Sequence, residues 1–319
     1  MSKKLIVGIL TVPLNPDGRY KDLCGQSFIV SAHLDWLKSV NIEPLIIPFY
    51  EKNIRKYANK VNGIYLPSGG AFAQTHPEYY FAAKELINIA KEKNDKGIYY
   101  PVWGCCMGMQ QMLIEADKND NYKTFLENFN SHKNIRLPLI GYKTNHYNSK
   151  IFSGYSKKQL KNLERNNSSL HNHKMGISPK KFLNNKNLSS TYKIINISYD
   201  RDNKPFVSTM EGIKYPFYGV QWHPERKRSF HKLVQFFKSE LLKNSKLLNN
   251  RITNNLFKKS LKKKKPLFTQ KIKCMKYRNN LYKYCNFYWT KKSKSNNPLN
   301  CKKTVKKRDR NGRIYSVIG

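Results

Sequence analysis

The 319 residues contain no apolar run approaching the roughly 18 to 20 that a bilayer-crossing helix needs, which argues against a membrane span. The opening run, MSKKLIVGILTVPLNPDG, sets two lysines before a short apolar stretch and so imitates a secretory leader. That stretch stops at Pro13 without a small-residue cleavage site, and it is read as a first strand with no signal peptide. Cysteine is also sparse: six in the chain, two of them adjacent (Cys105, Cys106), which is no disulfide framework and points to a reducing, intracellular compartment. Cys274, Cys285 and Cys301 have neither a CxxC pair nor a partner histidine, so no metal site is expected there. Acidic residues are scarce too, 20 against 60 Lys and Arg, for a net charge of +40. They are scarcest at the end, where residues 241–319 carry 24 basic residues and the single acid Asp309.

What is present is a core-forming composition, 39% hydrophobic with 13% aromatic, enough for one large α/β domain or two small ones. In the first half, short apolar runs alternate with segments of helical period, the form of βαβ units and a mostly parallel sheet. Strands are expected at 4–10, 43–48, 61–66 and 98–103, and helices over 27–39, 51–60, 78–93 and 110–116. From 135 the pattern changes to short extended pieces, 135–140, 192–199, 205–210 and 216–222. The Asn/Lys/Ser-rich stretches 153–172 and 184–190 read as loops or insertions. An amphipathic helix over 229–243 closes the domain, which puts the boundary at 244 and leaves 245–319 as a basic Lys/Asn-rich tail, disordered or weakly structured.

The strongest local signal is Gly104-x-Cys106-x-Gly108 at a strand-to-helix junction. A nucleophile on so sharp a turn needs small neighbours two positions away on either side, and the helix N-terminus should lower its thiol pKa. Cys106 is therefore the candidate nucleophile, whereas Cys105 sits one place off the middle and should point elsewhere. The second signal is Tyr218-Gly-Val-Gln-Trp-His223-Pro-Glu225 at the end of another apolar run. A thiol nucleophile needs a base, and the base needs an orienting group; His223 and Glu225 supply both. Each signal lies at the C-terminal edge of a strand, where open α/β sheets bind ligands.

These segments resemble the γ-glutamyl hydrolase family of the class I glutamine amidotransferase-like superfamily. The likeness rests on PVWGCCMG, HNHKMGIS and FVSTMEGIKYPFYGVQWHPE and extends over about 4–240. It implies a three-layer, flavodoxin-like α/β fold and a Cys106-His223-Glu225 triad, with no metal or cofactor. His173 matches a second active-site histidine, and the LPSGG turn matches an oxyanion loop, so backbone N–H groups near Gly69 and Gly70 and that of Met107 would hold the tetrahedral intermediate. The substrate implied is a small γ-glutamyl compound, in particular a folate poly-γ-glutamate. One departure stands out: the family's usual acid four places after the nucleophile is Gln110 here, as in glutaminase domains. A glutaminase subunit that hands ammonia to a synthase is therefore the competing reading of the triad.

The tail suggests a further class of partner. Basic clusters at 258–265 (KKSLKKKK) and 302–310 (KKTVKKRDR) flank YRNNLYKYCNFYWT, and cations interleaved with rings are what sequence-tolerant nucleic-acid binding uses. Nucleic-acid binding or nuclear targeting through 245–319 is the expectation, against simple compositional bias. Oligomeric state is not legible.

Overall fold

The computed structural model describes residues 5–14, 27–71, 76–118, 125–143 and 145–244, together with the backbone of four later strands at 268–276, 283–291, 305–308 and 314–317. The cluster 258–265 and most of 302–310 lie outside the described residues.

In the first half, β1 (Leu5–Leu10), β2 (Val12–Pro13) and β3 (Ser27–Val30) lead into α1 (Ser31–Lys38), followed by β4 (Ile42–Ile47), α2 (Ile54–Ala58), β5 (Gly63–Leu66), α3 (Pro77–Asp95), β6 (Val102–Cys105) and α4 (Met107–Asp117). The second half runs β7 (Glu127–Leu137), β8 (Ile140–Gly141), α5 (Lys157–Arg165), β9 (Ser169–Gly176), α6 (Pro179–Asn184), α7 (Lys186–Thr191), β10 (Tyr192–Tyr199), β11 (Pro205–Gly212), β12 (Phe217–Val220), two 3₁₀ turns at 224–226 and 228–230, and α8 (His231–Lys243). Beyond it come the hairpins β13 (Phe268–Lys276) with β14 (Lys283–Lys291), and β15 (Val305–Arg308) with β16 (Ile314–Val317).

The central sheet has the order β4-β1-β5-β6-β12-β11-β10-β8. Its first five strands pair in parallel and the last three antiparallel, so the expected mostly parallel α/β sheet is what forms. Alternation along the strands gives each face its own core. Ile64 and Leu66 join Leu86, Met109 and Leu113 on the α3/α4 side. Tyr65, Trp103 and Trp222 join Leu37, Leu233 and Phe237 on the α1/α8 side. Helices thus cover both faces, which is the three-layer arrangement.

Three local expectations are corrected. The segment 27–39 starts as a strand, because four consecutive buried residues, Ser27 to Val30, pair with β2 and β14 before the helix begins. The stretch 153–172 is not loop: Ser156 and Gln159 form a capping box, and Leu160 and Leu163 bury one face of α5. Asn185 likewise caps α7 within 184–190 by accepting from the Leu188 N–H at 3.1 Å.

Candidate active site

β6 ends at Cys105 and α4 starts at Met107, so Cys106 alone makes the turn, at φ 51° and ψ −104°. That is costly backbone for a non-glycine residue, and the surroundings hold it: the Cys106 amide donates to Val220 O at 2.6 Å and its carbonyl accepts from the Gln110 amide at 3.1 Å. The flanking glycines are required by contact. A Cβ on Gly108 would lie 2.0 Å from Leu66 O, and one on Gly104 would lie 2.5 Å from Met112 Sδ and 2.8 Å from the Gly108 backbone.

β12 lies beside β6, with Val220 opposite Cys105, and this registry brings His223 next to the elbow. His223 Nδ1 and Glu225 Oε1 are 2.9 Å apart, while His223 Nε2, though buried, has no hydrogen-bond partner among the described residues. Cys106, His223, Gly69, Gly70, Met107, Gln110 and His173 all line one cavity of about 290 Å³; Glu225 stands behind His223. Gly69 is wedged between Met107 and Val12, while Gly70 faces open space.

The electrostatics differ from expectation at the nucleophile. Burial pushes the Cys106 thiol up to about 12, with the nearby Glu225 charge acting in the same direction. Arg226, the Met107 N–H and Gln221 pull it down by less. The helix N-terminus therefore acts as expected but loses to desolvation, and the resting sulfur is a thiol. Burial and Arg226 push His223 below its ordinary value, so it is neutral at pH 7. Burial also opposes ionisation of Glu225, yet His33, His223 and Arg226 outweigh it and hold the carboxyl well below the usual range. At pH 7 both histidines are neutral, His33 being pushed down to about 4 by burial, so Arg226, 3.6 Å from Glu225 Oε1, is the formal counter-charge there.

His173 is buried in the pocket wall, not in a surface loop. Its Nδ1–H donates to Met175 O at 2.9 Å, its Nε2 lies 3.3 Å from His171 Nδ1, and burial pushes it down to about 3. Gln110 braces α4 against β9: its side-chain amide donates to Met175 O at 2.8 Å and Gln221 Oε1 at 3.3 Å.

Sequence reading missed the far side of the triad. His33, fully buried on α1, contacts Tyr65 OH (2.8 Å), Ser68 Oγ (2.7 Å) and, at 3.8 Å, Glu225 Oε1. Cys105 does leave the pocket, but its thiol donates to Glu225 Oε2 at 3.3 Å, so it is bound to the triad's carboxylate. Gln221 also escaped notice; its side-chain amide donates to Cys106 Sγ at 3.6 Å. The one signal available for these was position: Cys105 and Gln221 adjoin the two motifs.

A glutamine amidotransferase class-I family model matches residues 24–241. The chain is 32% identical over 263 residues to the γ-glutamyl hydrolase of Rattus norvegicus, covering 76% of this chain and 79% of that one. It is 29% identical over 226 residues to the Bos taurus γ-glutamyl hydrolase (70% and 68% covered) and 28% identical over 266 residues to the Homo sapiens one (76% and 80%). Among solved structures, a candidate GMP synthase protein from Thermoplasma acidophilum aligns with a TM-score of 0.51 at 12% identity, covering 78% of this chain and 99% of that one, a likeness of fold alone. With the family model spanning most of the chain and the rat protein matched over most of both lengths, the chain belongs to the γ-glutamyl hydrolase family of class I glutamine amidotransferases.

Proposed function

We propose that the chain hydrolyses γ-glutamyl amide bonds, folate poly-γ-glutamates included, with Cys106 as nucleophile, His223 as base and then acid, and Glu225 as the group that orients His223. The observation that carries this is His223 itself: one ring nitrogen is engaged by Glu225, and the other has no partner among the described residues, in a buried site whose cavity it shares with Cys106. As Cys106 Sγ attacks the γ-carbonyl, His223 Nε2 takes the thiol proton, since no preformed thiolate is available. The oxyanion is held by the Met107 N–H at the start of α4 and by backbone N–H groups around Gly69 and Gly70. His223 then protonates the leaving amine, a thioester remains on Cys106, and water activated by His223 releases the glutamyl product. His173 and Gln110 shape the wall against which the glutamyl group lies, and Lys174 and Arg226, also on the cavity, suit its carboxylates. Residues 1–244 are the catalytic unit. Incubation with a folate polyglutamate should yield shortened products without a partner protein, while turnover of free glutamine alone would favour the glutaminase reading.

A second role concerns 245–319. Its excess of Lys and Arg with one acid suits nucleic acid or nuclear targeting inside the cell. A chain ending at 244 should keep its kcat/KM and lose salt-sensitive retention on single-stranded DNA; equal retention of both chains rejects this role. Among the described residues no helix is long and apolar enough to cross a membrane.

A further inference from the structure

We propose that the buried cluster of side chains behind the triad is a site for a thiophilic divalent cation of the zinc class, ligated by His33 Nε2, Cys105 as thiolate and the Glu225 carboxylate, and that its occupation silences Cys106.

The donors come from three separate elements, α1, β6 and the 3₁₀ turn after β12, yet their ligand atoms all lie within 4.8 Å of one another and all three residues are buried. Zn–N and Zn–O bonds of about 2.0 to 2.1 Å and a Zn–S bond of about 2.3 Å put neighbouring tetrahedral ligands roughly 3.3 to 3.8 Å apart. His33 Nε2 lies 3.8 Å from Glu225 Oε1 and Cys105 Sγ lies 3.3 Å from Glu225 Oε2, so each of the other two donors faces one oxygen of the same carboxylate. With a single carboxylate oxygen as the shared ligand atom, no pair of donors needs to close by more than about 1 Å to meet that range.

The imidazole is held in the ligating form. The Ser68 amide N–H, which can only donate, points at His33 Nε2 at 3.3 Å, so that nitrogen carries the lone pair. The proton is therefore on Nδ1, donated to Tyr65 OH at 2.8 Å, the outer partner that metal-binding histidines ordinarily have. Ser68 Oγ, 2.7 Å from Nε2, also hydrogen-bonds this nitrogen, so an incoming cation takes the place of the Ser68 contacts. Ser68 also lines the catalytic cavity, which gives the ion a way in.

Imidazole with thiolate selects zinc or cadmium over magnesium or calcium. On binding, the Cys105 S–H bond breaks, an S–metal bond forms and the proton leaves to solvent. Carboxylate and thiolate then balance the two positive charges, so the net charge of the cluster beside Arg226 rises by only one, from that of the carboxylate alone to neutral. Glu225 Oε1 is the atom His223 Nδ1 uses, so a cation on this carboxylate weakens the hold on the base. That last step rests on the proposed γ-glutamyl hydrolysis; the binding itself does not.

The test is titration of the metal-free full chain with Co²⁺ as a spectroscopic probe and Zn²⁺ as competitor. A thiolate-to-cobalt charge-transfer band should saturate at one equivalent, bleach with Zn²⁺, persist in Cys106→Ala, and vanish in both Cys105→Ser and His33→Gln. Tyr65→Phe should weaken binding roughly 10- to 100-fold by releasing the ring. If Cys105→Ser does not fold, His33→Gln and Tyr65→Phe interrogate the same site without touching the thiol. Absence of the band, or a band unchanged in Cys105→Ser or His33→Gln, overturns the site. Hydrolysis should fall with the midpoint of the band and recover with chelator; a band without inhibition overturns the silencing. A metal-free chain that binds Co²⁺ as described but never cleaves γ-glutamyl substrates counts against the proposed function and leaves the cation site standing.

Discussion

On the pocket side of Glu225 stands His223, with Cys106 sharing its cavity; on the far side stand His33, hydrogen-bonded to Tyr65 and Ser68, and Cys105, hydrogen-bonded to Glu225 itself. The pocket side holds a ring nitrogen with no partner among the described residues and a strained backbone, features that cost stability and persist because the surroundings enforce them. The far side is nearly saturated with hydrogen bonds. One face of the carboxylate is therefore built to react and the other to stay still, and substitutions on the two sides should separate accordingly.

The largest separation is at the two adjacent cysteines. Cys106→Ala should abolish hydrolysis, a loss on the order of 10⁵- to 10⁶-fold in kcat, with the circular dichroism spectrum unchanged. Iodoacetamide followed by mass spectrometry should find Cys106, which lines the cavity, alkylated before Cys105, which does not. Preferential loss of Cys105 with an active Cys106→Ala enzyme would reverse the comparison.

His223→Asn should cost nearly as much, because His223 moves the proton. Glu225→Gln should cost less, roughly 10³- to 10⁴-fold, because Glu225 orients the ring and stabilises its charged form. Steady-state kinetics should also place His173→Asn below both. An unimpaired His173 variant would make that residue a packing histidine between β9 and Phe206, whose ring centroid lies 4.8 Å away.

The pocket side was legible because local rules govern it. Gly104 and Gly108 flank Cys106 at the short spacing the turn demands, although the atoms that exclude a side chain there include Met112 Sδ and the distant Leu66 O, and His223 and Glu225 are two apart on one turn. The sheet, too, could be read from its apolar runs. The far side could not, since His33 lies 72 positions before Cys105 and shares its helix face with core residues such as Trp36 and Leu37. Alternation along β6 explains where Cys105 goes: with Trp103 it faces the α1 layer, where Tyr65 also points. The thiol's charge state was misjudged because the helix N-terminus is visible in a sequence and the depth of burial is not. The α5 and α7 helices were hidden by polar composition, with only Leu160 and Leu163 to betray a buried face of α5.

A pH profile sharpens the contrast further. His223 must be neutral to accept the Cys106 proton, and burial and Arg226 both push its pKa below 6.5. The neutral base is therefore retained into mild acid, and kcat/KM should fall only as pH drops through that lowered value. Arg226→Gln removes the positive charge acting on the ring, so the acid limb should move upward toward 6.5. A limb that does not move assigns the depression to burial alone.

The smallest effect belongs to Cys105→Ala. Its thiol gives Glu225 Oε2 one hydrogen bond at 3.3 Å, and burial pushes that thiol well above its ordinary value, so it stays a protonated donor at working pH. A thiol is a weak donor, and the net worth of such a bond is at most about 1 to 1.5 kcal/mol, which corresponds to no more than roughly a tenfold loss of kcat. The loss should sit in kcat with KM little changed, because Cys105 is absent from the cavity lining and meets the substrate only through Glu225 and His223. Cys105→Ser, which restores a donor of similar shape, should recover part of it. A loss of several orders of magnitude in the alanine variant, unrelieved by serine, would mean that the far side takes part in the reaction and that the division of labour across Glu225 is wrong.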